Sequence, residues 1–270
     1  MSISSSIAVS GGRLVPVSST TGTSKLYDIP KVAKADWTIC PSDENWFYRL
    51  SESLLWTANN ATLLPLVDSL VAYWKGEDLT DEINRHTLTN NNVVTFTGGK
   101  NNNAFTFNGV NQYMSNATNP SDFAVGTGDY TVSFWMYDTS FPDSADALYA
   151  TTTSGGISCT YTSETLGIGR SQVADDFSIT HGMSTSTWHL VVISRISGTV
   201  NIYIDGVSKG SKTLTINYPS SAGFNIGVDG NSSSLPASVS IDEFAVWKGH
   251  GMTQAEVTAL HNSGTGAFLL

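Results

Sequence analysis

The chain has 270 residues, of which 40% are hydrophobic, enough to bury a core, and only 13% are charged. Charged residues usually make up about a quarter of a globular chain, so this surface is polar through Ser, Thr, Asn and Gly. That suits neutral polyhydroxyl ligands, and it equally suits an ordinary sheet-rich protein. With 13 basic against 23 acidic residues and a net charge of −10, the chain lacks the basic stripe that neutralising phosphates requires, which excludes nucleic acid as a partner.

No run of about 18 apolar residues occurs, so no membrane span and no membrane partner is expected. The opening MSISSSIAVSGGRLVPV has no charged segment followed by an apolar one, so no secretory leader is expected. Cys40 and Cys159 lie far apart and read as two separate buried thiols, with a single bridge as the alternative.

In chain order, residues 1–68 differ from the remainder. Met1 to Lys25 is rich in Ser, Thr and Gly, with one apolar patch at Leu14-Val15-Pro16-Val17, and reads as an extended N-terminal arm. Trp37, Trp46, Phe47 and Trp56 follow in a stretch of weak periodicity. They either anchor the segment onto the chain's own body or form an interface with a partner, where tryptophans are favoured.

From residue 69 the pattern becomes regular, and residues 69–270 read as one domain. Strands are predicted at Ser69–Trp74, Val93–Phe96, Ala104–Phe107, Tyr113–Met114, Tyr130–Met136, Ala147–Ala150 and Gly156–Tyr161. Weaker ones follow at Thr165–Ile168, Phe177–Ile179 and Leu214–Ile216. Leu190–Ile193 is a short apolar run, expected at the centre of a sheet. Val200 to Asp205 alternates, with Asn201, Tyr203 and Asp205 on the polar side. Asp205-Gly206 and Asn108-Gly109 are hairpin-type dipeptides, because a type I′ turn needs residues that tolerate positive φ. Gly223–Gly227 and Ser240–Trp247 complete the strands. Thr253 and Glu256 form a capping box that starts a helix, which Asn262 and Gly264 stop. About a dozen short strands separated by turn signals indicate an all-β, antiparallel two-sheet sandwich with one short C-terminal helix.

The segments LVAYWKGEDLTDEINRH, AFTFNGVNQYM, GDYTVSFWMY, TWHLVVIS, VNIYIDGVSKG, FNIG and SIDEFAVWKGHGMTQAEVTAL, in that order, resemble a laminin-G-like domain of the concanavalin-A-like lectin/glucanase superfamily. The likeness covers about residues 70–260 and implies a jelly roll. It also implies a Ca²⁺ site formed by Asp242, with Glu77 or Asp78 and a carbonyl near Gly109, an oxygen-only set that suits the ion. The alternative is that Asp242 caps a turn without metal.

Catalysis has little support in the residues. Glucanases of the resembled superfamily carry a Glu-x-Asp-x-x-Glu strand, which is missing here. Asp242 and Glu243 are adjacent and so are expected on opposite sheet faces. Gly206-Val207-Ser208-Lys209-Gly210 matches a nucleophile elbow in letters only, since a helix should follow it. His189 reads as a strand residue with a satisfied hydrogen bond. For sugar stacking the candidate rings are Tyr203, Tyr137 and Tyr161, with Tyr113, Trp135 and Tyr149 behind them.

Together these features lead to a non-catalytic virion protein that needs no export signal. The first expectation is a capsid decoration (cement) protein from a bacteriophage. Its arm would grip the major capsid protein or a sister subunit in a homo-oligomer, and its jelly roll would face host glycans. A tail-fibre or receptor-binding module in contact with tail proteins is the alternative, and a glycoside hydrolase the third.

Overall fold

The structure is a computed structural model that describes residues 66, 69–219, 222–267 and 269, together with the backbone of four strands before them. The chain divides into two compact units, Met1–Asn60 and Ala61–Leu269. In the first, β1 (Ser6–Ser10) pairs antiparallel with β2 (Arg13–Val17), and β3 (Thr38–Ser42) with β4 (Asn45–Arg49). The side chains of Trp46, Phe47 and Cys40, and Trp37 and Trp56 altogether, lie outside the described residues.

The second unit is a sandwich of two antiparallel sheets. The larger contains β5 (Leu70–Trp74), β7 (Thr95–Gly98), β8 (Asn103–Thr106), β10 (Tyr130–Tyr137), β15 (Trp188–Ile196), β16 (Thr199–Ile204), β17 (Val207–Thr213) and β19 (Ser240–Lys248). The smaller contains β6 (Thr89–Asn91), β9 (Tyr113–Asn116), β11 (Asp146–Thr151), β12 (Ile157–Tyr161), β13 (Thr165–Arg170), β14 (Ala174–Thr180) and β18 (Phe224–Ile226). Its order is β14-β13-β12-β11-β18-β9-β6.

Alternate residues of the two inner faces meet in an aromatic core. Phe134 and Phe244 of the larger sheet stack at 5.5 Å, and Tyr149 and Phe224 of the smaller one lie against Phe244 at 5.7 and 5.6 Å. Cys159 is free and buried in this core, and burial pushes its thiol pKa up.

The middle strands β10, β15 and β19 are buried along almost their whole length. A half-exposed strand would alternate, so the outer face must also be covered. The cover is helix α1 (Gln254–His261) with the chain's last described residues. The Thr253–Glu256 capping box starts α1, and Asn262 ends it in a left-handed conformation. Ser194 Oγ donates to the Met252 carbonyl at 2.8 Å, and Leu260 and Leu269 lie beside Tyr73, Trp135 and Leu190.

Three expectations need correction. Asp205-Gly206 does make the β16–β17 turn, with φ of 51° and 78°, but Asn108-Gly109 makes no hairpin. β8 and β9 belong to different sheets, and Asn108 Oδ1 instead accepts from Val110 N at 2.9 Å within a crossing loop. Leu214–Ile216 is not a strand; the preceding Val207–Thr213 is one. It is an exposed edge strand, so it carries no apolar alternation for a sequence pattern to register. Finally, Asp242 and Glu243 do not diverge. β19 bulges opposite Phe134, Glu243 has φ 51°, and Asn101 bonds both carboxyls, through N–H to Asp242 Oδ2 and through Nδ2 to Glu243 Oε1.

Candidate functional site

The three predicted stacking tyrosines do not come together. Tyr203 stands on the outer face of β16, as its alternation required, but it is buried, at 5% exposure. The sequence pattern marks which face a residue occupies; it does not show that α1 and the C-terminal residues cover that face. Tyr161 is also buried, its hydroxyl donating to Asp138 Oδ2 at 2.9 Å. Tyr137 is partly exposed at the end of β10, with its ring 5.5 Å from that of Trp188. Trp135 is occupied by the His261 ring at 5.9 Å and by Lys100 Nζ, 4.4 Å from its ring centroid.

The predicted acidic set divides. Asp242 is fully buried and, among the described residues, has no ion pair. Burial raises its pKa to about 7, partly offset by the Asn101 and Glu243 N–H donors, and the Glu77 charge adds to the rise. Glu77 Oε2 is buried without a hydrogen-bond partner. Gly76 and Gly99 keep the space open. A Cβ on Gly76 would lie 2.9 Å from the Asn103 carbonyl and 3.0 Å from Asp242 Oδ1. One on Gly99 would lie 2.6 Å from Asp242 Oδ2. Asp242 and the Asn103 carbonyl thus lie close together, and Glu77 is near enough for its charge to act on Asp242; all three are oxygen groups, the chemistry a hard cation takes. Asp78 is exposed, and its Oδ1 accepts from the Thr80 N–H and hydroxyl in a local turn. Gly109 lies in the loop after β8, where its N–H donates to the Ala237 carbonyl.

A different feature has the shape of a binding site. A cleft of about 240 Å³ lies on the outer face of the smaller sheet. Ile157, Cys159 and Tyr161 of β12 point into the core, so Ser158 and Thr160 point outward and form the cleft floor. In β13, Leu166 and Ile168 point inward and the outward positions are Gly167 and Gly169. These glycines allow β14, which is irregular in register here, to fold over the sheet. A Cβ on Gly169 would sit 2.2 Å from the Ala174 carbonyl, and one on Gly167 2.3 Å from Asp175 Oδ2.

Asp175 is thereby placed over the floor, where Thr160 Oγ1 donates to its carboxylate at 2.8 and 3.0 Å. Burial raises its pKa from the ordinary aspartate value, against the lowering effect of that hydroxyl, and the Asp176 charge adds to the rise. Arg170 also lines the cleft, with its guanidinium paired to Asp176 at 3.0 Å. The facing wall carries Asp229 and Leu235. Asp229 is fully engaged, accepting from Ser171 Oγ at 3.1 Å, Gly230 N at 2.7 Å and Ser234 Oγ at 3.4 Å.

A family model described as the concanavalin A-like lectin/glucanases superfamily matches residues 108–258, more than half of the chain, from β9 through β19 and into α1. The chain belongs to that superfamily. No curated protein matches it in sequence. Among solved structures, the binding domain of Paraclostridial Mosquitocidal Protein 1 is similar at TM-score 0.62 and 16% identity, over 74% of this chain and 53% of that one. The Botulinum Neurotoxin Type G receptor binding domain matches at 0.58 and 15%, over 72% and 51%. This chain thus spans about half the length of those toxin domains. Domain 4 of AbnA, an arabinanase from Geobacillus stearothermophilus solved with arabinotriose, matches at 0.55 and 21%, over 71% of this chain and 97% of that one.

In this lectin-like chain the remaining motifs are structural. His189 is a buried strand residue whose Nδ1 lies 2.6 Å from Asp205 Oδ2, while its Nε2 lies 3.1 Å from both the backbone N and the carbonyl O of Ser184. Gly206–Gly210 runs from a turn into β17, an edge strand, without the helix that a nucleophile elbow requires. Sequence reasoning missed the cleft residues Ser158, Thr160, Arg170, Asp175 and Asp229. One usable signal was present: Gly167 and Gly169 at alternate positions of a strand mark a close backbone approach on one face.

Proposed function

We propose that the chain is a non-catalytic carbohydrate-binding module whose cleft over β12 and β13 receives the sugar. The observation that carries this is Asp175, a carboxylate that among the described residues is anchored by the Thr160 hydroxyl alone and that lines an open cleft. A carboxylate with unused lone pairs accepts hydrogen bonds from neighbouring sugar hydroxyls. Superfamily membership and the arabinotriose-bound AbnA domain support the reading. Glycoside hydrolysis uses two carboxyl groups about 5–9.5 Å apart. Asp229 is held by three donors, which leaves one free carboxylate in the cleft and favours binding over cleavage. On a glycan array the wild-type chain should bind a restricted set of sugars, Asp175→Asn should lose that binding, and no glycan should be shortened. Equal binding by the variant would refute the site.

We also infer that Asp242, Glu77 and the Asn103 carbonyl hold a Ca²⁺ ion. When bound, the ion would neutralise two carboxylates crowded at the edge of the sandwich. The chain's own residues do the positioning: Asn101 and Glu243 N–H groups orient Asp242, and Asn102 Nδ2 holds Glu77 Oε1 at 3.3 Å.

A virion role, as a capsid decoration protein or a tail component, is supported by sequence alone. Trp37, Trp46, Phe47 and Trp56 precede a lectin-like body that does not need them to complete its sandwich. If they are the assembly contact, a chain lacking residues 1–68 should keep its β-sheet circular dichroism and fail to join particles. Normal incorporation would refute it.

A further inference from the structure

We propose that the cleft recognises the terminal ring of a neutral glycan, one sugar at a time, and does not accept an internal stretch of polysaccharide. This rests on the carbohydrate-binding reading and adds the ligand class. Three observations carry it. The first is size: about 240 Å³ falls below the roughly 300–1,000 Å³ of pockets that enclose drug-sized ligands, and leaves room for a single ring.

The second is shape. The cleft is lined by Asp175 where β14 folds over Gly167 and Gly169, by Gln172 and Val173 of the β13–β14 turn, and by Asp229 and Leu235 of the loop before β19. That turn and that loop are fastened together by the Ser171–Asp229 hydrogen bond, and a Cβ on Gly230 would meet Ser171 Oγ at 2.3 Å. Two lining segments joined in this way bound the cleft where they meet, which suits an end of a chain better than one running through.

The third is chemistry. Among the described residues no aromatic ring lines the cleft, so they offer no platform on which successive sugars could stack. Recognition falls to hydrogen-bonding groups: the Ser158 and Thr160 hydroxyls, the Gln172 amide and the Asp175 carboxylate. The charge balance selects against acidic sugars. Asp175 and Asp229 outnumber Arg170, whose guanidinium is already paired with Asp176. A carboxylate-bearing sugar would therefore bring like charge against Asp175 with no free cation to compensate it.

The test is calorimetric titration of the full chain with methyl glycosides of arabinose, xylose, glucose, galactose and mannose, their di- and trisaccharides, glucuronic acid and N-acetylneuraminic acid. The expected result is that one neutral family binds, with affinities for monomer and trimer within about threefold. The acidic sugars should give no heat. Asp175→Asn and, independently, Ser158→Ala should weaken that binding at least tenfold while the unfolding temperature stays within a few degrees. Affinity that rises tenfold or more with chain length, or tighter binding of an acidic sugar, would overturn this inference and leave the carbohydrate reading standing. Silence across the whole panel would overturn both.

Discussion

His189 shows how a single side chain ties two segments of the sandwich together and makes its stability depend on pH. Its ring joins Ser184, in the loop before β15, to Asp205, in the β16–β17 turn. The hydrogen bond to Asp205 raises the His189 pKa, against the opposing effect of burial. For Asp205, burial pushes upward, but the His189 hydrogen bond and the Leu190 N–H outweigh it and the pKa falls. A raised histidine contributes stability that is complete below its unfolded value of about 6.5 and is lost as pH rises through the folded value. A lowered aspartate contributes above about 3.9 and loses that contribution as pH falls through its folded value. The pair should therefore stabilise most between about pH 4 and 6.5. His189→Gln should cost about 1–3 kcal/mol there, with the difference from wild type shrinking at alkaline pH. Thermal unfolding of both proteins across that range checks this, and a gap that widens with pH would contradict it.

At the scale of elements, β13 and the fold-over of β14 make the cleft, and two glycines should fail differently when substituted. Gly169→Ala puts a methyl group 2.2 Å from the Ala174 carbonyl, a backbone atom that cannot yield without moving the strand. A loss of about 1–3 kcal/mol is expected in chemical denaturation. Gly167→Ala meets the Asp175 carboxylate at 2.3 Å, a side chain that can swing aside. Its stability loss should be the smaller of the two, and its glycan binding should fall because Asp175 is displaced. Most strands were legible in the sequence, since β10, β12, β16 and β19 alternate or carry long apolar runs, and the capping box of α1 is local chemistry. What was not legible depends on partners distant in sequence. Tyr203 reads as exposed because nothing in VNIYID reports that α1 and the C-terminal residues will cover that face. Asp242 and Glu243 read as divergent because a bulge opposite Phe134 is invisible to a strict period of two. Asp175 and Thr160, which build the cleft, belong to different strands, and only the sheet order brings them together.

The whole sandwich buries an aromatic core and leaves two polar sites at its margins, the Asp242–Glu77 set at one edge and the Asp175 cleft on the smaller sheet. If the first holds Ca²⁺, millimolar Ca²⁺ should raise the unfolding temperature, a chelator should reverse the rise, and Asp242→Asn should abolish it. An unfolding temperature indifferent to Ca²⁺ would remove the ion from the account. The cleft is the central claim, and Asp175 also gives it a pH signature. Because burial raises that pKa, sugar binding should weaken on acidification while the pH is still above the ordinary carboxylate value of about 3.9. The most direct measurement is a crystal structure of the full chain soaked with the tightest-binding neutral sugar. The account predicts one ring over β12 and β13, its hydroxyls within hydrogen-bond distance of the Asp175 carboxylate and the Ser158 and Thr160 hydroxyls. A sugar bound elsewhere on the molecule, with this cleft holding none, would contradict it.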